Sequence, residues 1–426
     1  MRWEQKIQFA TLTDVGLRRQ NNEDSSAIAL ATTEDEFLER GHLFLVADGM
    51  GGHAVGELAS KIAAETVPHT YLKNHAGDIR VALQAAVVHA NTTIHIRGEQ
   101  NRDFQRMGTT CSTLVLTENG AYVAHVGDSR VYRVRRDRID QLSFDHSLHW
   151  ELQRRDHRLA KQVDLSAHKN VITRCLGPEA TVMVDLEGPH PILPGDAYLL
   201  CSDGLSNQLS DEEIGAIVRE LSPTAACRLL VDIANARGGP DNCTVVVAKV
   251  GDLPANVPPP PVPDDVPSAG LGWAWVFAFW AVAMLLVWGL SLMYFGRPWP
   301  GIFITALAGF GGVAVLIAAF RMRRQLQQPI DDASRTNLSR PHRTAVALDS
   351  RQLFESLAET EAELRRSAME DGWEVDWTAH GEIMKGAAQC RTERRFGRGC
   401  RDVGKAIELL MAQLPTAANR AAKKTH

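Results

Sequence analysis

Excess basic charge is absent from this sequence: 46 Lys and Arg stand against 51 Asp and Glu, a formal net charge of −5. A general nucleic-acid role needs a basic face to neutralise phosphates, and this balance argues against one. Cysteine is sparse as well. Its seven copies, Cys111, Cys175, Cys201, Cys227, Cys243, Cys390 and Cys400, are scattered without CxxC spacing. That pattern fits reduced thiols in a cytosolic setting better than a disulfide framework, and no structural zinc is expected. The opening segment, MRWEQKIQFATLTD, lacks the long apolar run of a signal peptide, so the first domain is expected to stay in the cytosol.

What is there suffices for a full globular domain and an accessory region: 426 residues, 45% hydrophobic and 23% charged. Over residues 1–250, apolar β-rich runs alternate with helical stretches, separated by Gly or Asn/Asp punctuation, which predicts one domain mixing helices and strands. LFLVA before Asp48, YLLCS before Asp203 and NCTVVVAKV after Asp241 read as buried strands. Residues 112–143 read as antiparallel strands with a hairpin turn at Asn119-Gly120. Helices are predicted over 55–67, 79–96 and 211–236, the last broken near Pro223.

The proline-rich stretch 251–270 is a linker, since it lacks the backbone donors of a packed element. Residues 271–295 and 301–320 are then two uncharged apolar runs, each long enough to cross roughly 30 Å of hydrocarbon. Five residues separate them, so they predict a two-helix transmembrane hairpin with both flanks on one side; buried core helices are the bland alternative. Arg321, Arg323 and Arg324 mark that side as cytoplasmic. Residues 321–350 read as a second linker, polar and interrupted by Pro329 and Pro341. In 351–416, Leu353, Leu357 and Leu364, then Val403, Ile407, Leu410 and Leu414, recur at helical spacing and predict a small α-helical tail. Such a stripe is more often core than a binding surface, and the basic run RTERRFGRGCR more often a solvated face than a lipid contact.

Four aspartates fall at the ends of predicted strands beside a glycine or polar turn: Asp48 in VADGMGGH, Asp128 in VGDSR, Asp203 in CSDGL and Asp241 in GGPDNCTVVV. One Asp before Gly is an ordinary turn former or cap. Four of them, with the Glu23-Asp24 pair of RRQNNEDS, make a carboxylate cluster that repels itself unless metal ions neutralise it. No His/Cys set accompanies them, so the donors suit Mg²⁺ or Mn²⁺ and not zinc. Hard cations in a carboxylate cage lower the pKa of water and stabilise displacement at phosphorus, which makes phosphate-ester hydrolysis the leading chemistry. Arg19, four residues before Glu23, can hold phosphate oxygens in bidentate fashion. His53, five residues after Asp48, is either a proton donor to the leaving alkoxide or an exposed loop histidine.

The series TDVGLRRQNNEDS, LVADGMGGHAVGE, MGTTCSTLVL, VGDSRVYR, LCSDGLSNQLSDEEI and DNCTVVV resembles the metal-dependent protein phosphatases of the protein phosphatase 2C type, in their bacterial serine/threonine branch. The resemblance covers nearly all of residues 7–250. It implies an α+β fold, a four-layer α-β-β-α sandwich with a two-metal site at one end. By the resemblance Asp48 would bridge both metals, joined by the Gly49 carbonyl, and Asp203 and Asp241 would complete the first site. Glu23 acts on the other through water, and Asp24 stands behind. A third, weaker ion would bind Asp128 with Asp203, Arg19 would hold the substrate phosphate, and 145–169 would correspond to a variable flap that helps admit phosphoprotein substrates. Val55 stands where a glycine is more usual; no metal ligand is missing. Members with a transmembrane tail often oppose membrane-bound serine/threonine kinases, so a cognate kinase is the expected partner, with no nucleic acid. A membrane-tethered scaffold using this fold without turnover is the alternative reading, and another two-metal phosphoesterase such as a nuclease is a third.

Overall fold

The computed structural model describes residues 7–52, 54–74, 77–104, 106–148, 150–151, 171–251, 273–309, 312 and 341–414. They divide into two compact units, residues 1–253 with 338–426, and residues 254–337.

In the first unit two antiparallel sheets face each other. One sheet runs in the order β2 (Asp24–Ala29), β3 (His42–Met50), β5 (Cys111–Thr117), β6 (Gly120–Val126), β9 (Asp185–His190), with the short β4 (Gly108–Thr109) paired to the end of β3. The other runs β1 (Ile7–Asp14), β11 (Cys243–Val250), β10 (Ala197–Cys201), β7 (Arg130–Arg135), β8 (Arg138–Gln141), β12 (Arg343–Val346). Alternation along each strand supplies the facing layers. Phe44, Val46, Leu114 and Val123 of the first sheet meet Val131, Tyr198, Leu200 and Val246 of the second in a core between them. Asn119-Gly120 does turn the β5–β6 hairpin, with Thr117 opposite Gly120. The segment that follows crosses to the other sheet, so Asp128 lies on the crossover, at one end of the sandwich.

Helices cover both outer faces. Against the first sheet pack α2 (Ala54–Lys73) and α3 (Ile79–Gln100), through Ala59, Ala63, Val67, Leu83, Ala86 and Ile94. The sequence reading ends α2 at residue 67; the helix instead runs on through Pro68. Its last turn is anchored by the buried Tyr71, whose OH donates to Arg40 O at 2.7 Å at the end of α1 (Glu34–Arg40). Tertiary packing thus outweighs the helix-breaking tendency of proline. Against the second sheet lie the short α4 (Asp203–Ser206), α5 (Asp211–Glu220), capped by a Ser210–Glu213 box, and α6 (Pro223–Ala236), capped by Ser222. The break at Pro223 falls where the sequence places it.

Residues 254–337 form the second unit, in which α7 (Trp273–Tyr294) is a 22-residue helix and 298–309 is mostly helical. Among the described residues no helix is long and apolar enough to cross a membrane. The linker 251–270 lies almost wholly outside the described residues, as does much of the second apolar run, 301–320.

The C-terminal region departs from the reading of a linker followed by a separate bundle. Within 321–350, Arg343–Val346 forms β12 and extends the second sheet by pairing with β8. The helices α8 (Ser350–Glu370), α9 (Trp377–Thr392) and α10 (Phe396–Met411) follow. The predicted stripe residues Leu353, Leu357, Val403, Ile407 and Leu410 are buried, but in one core with Tyr132, Leu199, Ile217, Leu229 and Val247 of the sandwich. A helical stripe shows in sequence that a face is buried; it carries no record of what covers it.

Candidate active site

The site is built at the sandwich end where β2, β3, β11, α4 and the β6–β7 crossover meet. Asp24 and Asp48 are direct cross-strand partners. Thr110 receives Asp48 from both sides: its Oγ1 accepts from Asp48 N at 2.8 Å and its N–H donates to Asp48 O at 2.9 Å. Gly49 follows in the same strand and donates its N–H to Glu23 O at 3.0 Å. A Cβ at Gly49 would meet the carbonyls of Gly56 and Glu23, and one at Gly56 would meet the Glu23 carboxylate. Gly49 and Gly56 therefore let β3 and α2 close on the acids.

Asp203 opens α4 and accepts from Asn207 Nδ2 at 3.1 Å. Asp241 precedes β11; Arg19 Nη2 reaches its Oδ2 at 2.9 Å, with both side chains partly exposed, at 47% and 31%. Glu23 and Asp128 are buried. Among the carboxylate oxygens, Asp24 Oδ1 and Asp128 Oδ1 are buried with no hydrogen-bond partner.

Burial first, then mutual repulsion, sets the charge states. Desolvation pushes Asp24 up to about 7, against hydrogen bonds from Ser202 and Thr244 and with Asp203 and Asp241 adding to the rise. Asp128 rises to about 8 through burial, then Asp203 and Asp145. Asp203 rises to about 6 through burial, then Asp241. Asp48 is driven well above the carboxylate range by burial and then by Asp24, Asp203, Asp128 and Asp241. These cross-influences place the five aspartates in one electrostatic neighbourhood. Such an excess of buried oxygen donors fits a hard divalent cation. The side chains are not drawn into a closed ligand set: among the described residues no three Asp, Glu, His or Cys form a ready metal-holding group.

His53 lies outside the described residues, as does most of the flap, 145–169. Sequence reasoning missed the residues that hold the acids in place. Asn242 Oδ1 accepts from Glu23 N at 2.9 Å, while its Nδ2 donates to Val15 O at 2.9 Å and Asn21 O at 3.0 Å. Ser202 Oγ donates to Asp24 Oδ2 at 2.7 Å and accepts from Thr244 N at 2.9 Å. Each neighbours a recognised aspartate in sequence, the only signal available.

The chain is similar to known proteins. The family profile of protein phosphatase 2C matches residues 20–231. The serine/threonine protein phosphatase PstP of Mycobacterium tuberculosis is 34% identical over 247 residues, 58% of this chain but 45% of its own length. The protein phosphatase PhpP of Streptococcus pneumoniae is 32% identical over 252 residues, 58% of this chain and 98% of its own. The solved serine/threonine phosphatase of S. agalactiae superposes with a TM-score of 0.51, at 32% identity, covering 57% of this chain and all of that one (100%). The PstP catalytic domain has been solved with two manganese ions, at 34% identity over 58% of this chain and 99% of that one, TM-score 0.49. With sandwich, acids and near-complete coverage of PhpP agreeing, this chain belongs to the metal-dependent protein phosphatase 2C family, in its bacterial serine/threonine branch.

Proposed function

We propose that the chain removes phosphate from phosphoserine and phosphothreonine side chains of proteins, using manganese or magnesium. The gathering of Asp24, Asp48, Asp128 and Asp203 at one end of the sandwich with Asp241 at its rim, where Asp24 faces Asp48 across the strand pair and carboxylate oxygens of Asp24 and Asp128 are buried without a partner, is the observation that carries this reading. Glu23, Asp48 with the Gly49 carbonyl, Asp203 and Asp241 would hold two ions, and Asp128 with Asp203 a third, weaker one. When bound, such ions activate water for attack on phosphorus and offset the charge of the phosphate.

The protein's own groups bind and position. A guanidinium has five N–H donors; Arg19 gives one to Asp241 at the rim, so it can still offer a planar pair to phosphate oxygens. Asn242 fixes the Arg19–Glu23 loop by its backbone, and Asp24, tied to Ser202, braces Asp48 across the strand pair. His53 would give a proton to the departing serine or threonine oxygen. In metal-stripped full-length protein, phosphothreonine-peptide hydrolysis is expected to need added Mn²⁺ and to vanish in Asp48→Asn and Asp203→Asn. Turnover that persists in EDTA, or a folded, metal-loaded protein without turnover, would sink the proposal.

We also propose that residues 271–320 tether the enzyme as a multi-pass membrane protein with two spans, the catalytic and C-terminal parts cytoplasmic, opposing a membrane-bound serine/threonine kinase. The uncharged run 271–295 and the arginines after residue 320 support this. Recovery of the chain in the carbonate-soluble fraction of its native cells would refute the tether.

A further inference from the structure

Arg130 stands two residues beyond Asp128 and is nearly buried. Its Nε and Nη2 meet Asp145 Oδ2 at 2.9 and 2.8 Å. Its Nη1 donates to Tyr132 OH at 3.0 Å and lies 3.8 Å from Asp211 Oδ1. Asp211 is itself buried, accepts from Tyr132 OH at 2.9 Å, and turns its other oxygen toward Arg343 Nε at 3.2 Å. Two buried acids thus share two cations, and the second cation comes from the C-terminal strand.

The same strand reaches Asp145 by another route. Gln141 accepts from His342 N at 2.9 Å through its backbone oxygen, while its side chain donates to Asp145 Oδ1 at 2.7 Å. The His342 ring lies 5.6 Å from that of Phe144, next to Asp145 in sequence, and Phe144 stands edge-on to Trp150, over which Arg130 sits at 5.8 Å.

We propose that His342 and Arg343 are positioning residues for the Asp128 turn, so that binding of a divalent cation at that turn depends on the docked C-terminal strand. Without Arg343, Asp211 keeps Arg130 as its nearest cation. Buried acids in a low-dielectric setting draw strongly on a shared cation, so Arg130 shifts from Asp145 toward Asp211 and the turn holding Asp128 loosens. The inference rests on the metal-dependent reading above.

The test is Mn²⁺ calorimetry on the metal-stripped full chain. His342→Ala/Arg343→Ala is expected to weaken the weakest Mn²⁺ association about three- to tenfold, and Arg343→Lys to restore most of it. Arg228→Ala, which breaks a different contact to the C-terminal region, Arg228–Glu408 at 3.3 Å, should leave the isotherm unchanged. Superimposed isotherms for the wild type and the double variant overturn this inference alone, as does equal weakening by Arg228→Ala, which would mean general loosening. A wild type that takes up no Mn²⁺ overturns the phosphatase reading with it.

Discussion

At Asn242 one amide serves three backbone groups: the N–H of Glu23 and the carbonyls of Val15 and Asn21. Asn242→Asp keeps an acceptor but loses both donors, so the carbonyls go unserved beside an added charge. Either Asn242→Asp or Asn242→Ala should cost about 1–3 kcal/mol of stability and, by displacing Glu23, lower kcat/KM on a phosphopeptide by about tenfold to a hundredfold. Denaturant titration and steady-state kinetics read the two effects. The crowded acids predict a second outcome. Mn²⁺ should raise the melting temperature of metal-stripped protein, by about 2.7 kcal/mol of stability at a hundredfold excess over Kd, and Asp48→Asn should remove most of that shift. That the acids converge was legible in sequence, because the aspartates fall at predicted strand ends beside a glycine or polar turn. Asn242 and Ser202 were not, because they serve groups next to β2 that only the packing of one sheet against the other brings near, and Thr110 was not, because only the pairing of β3 with β4 and β5 sets it against Asp48.

Among the elements, α8, α9 and α10 teach a related lesson. Their apolar spacing was readable, whereas the docking of α8 and α10 on α5 and α6, with α9 packed on α10, was not, since nothing in residues 350–411 encodes which face of the sandwich is bare. Leu357 is buried in the core shared with the sandwich. Leu357→Ala should therefore cost about 2–5 kcal/mol and lower the unfolding midpoint of the whole first unit in one transition. A separate early transition that spares activity would contradict this. Where α6 meets α10, burial and then Glu408 raise Asp232 to about 7, with one carboxylate oxygen unpartnered. A carboxyl raised on folding contributes stability that is complete below its unfolded pKa, about 4, and is lost as pH climbs through 7. Asp232→Asn should match the wild type near pH 3 and exceed it at pH 8 by about 1 kcal/mol or more, as chemical denaturation at the two pH values would measure.

On the scale of the molecule, the catalytic unit is discontinuous: residues 1–253 and 338–426 belong together, with 254–337 set between them in the chain. PhpP is matched over 98% of its length by 252 residues, which leaves no room in it for a comparable C-terminal region. Here that region covers Ile217, Leu229 and Leu230 and closes the β8 edge. A chain cut after residue 253 should consequently expose an apolar face and an open strand edge, and so melt earlier and self-associate more than the full chain. Size-exclusion chromatography and calorimetry decide it; a monomer of unchanged melting temperature would speak against this coupling.

The pairing of β12 with β8 also imposes an order on how the sandwich is completed during synthesis. The last strand of its sheet leaves the ribosome only after the whole of 254–337 has been made, so the sandwich waits in an incomplete form while that intervening unit emerges. Anything that delays those residues prolongs the life of a half-covered enzyme whose bare sheet edge can pair with another chain.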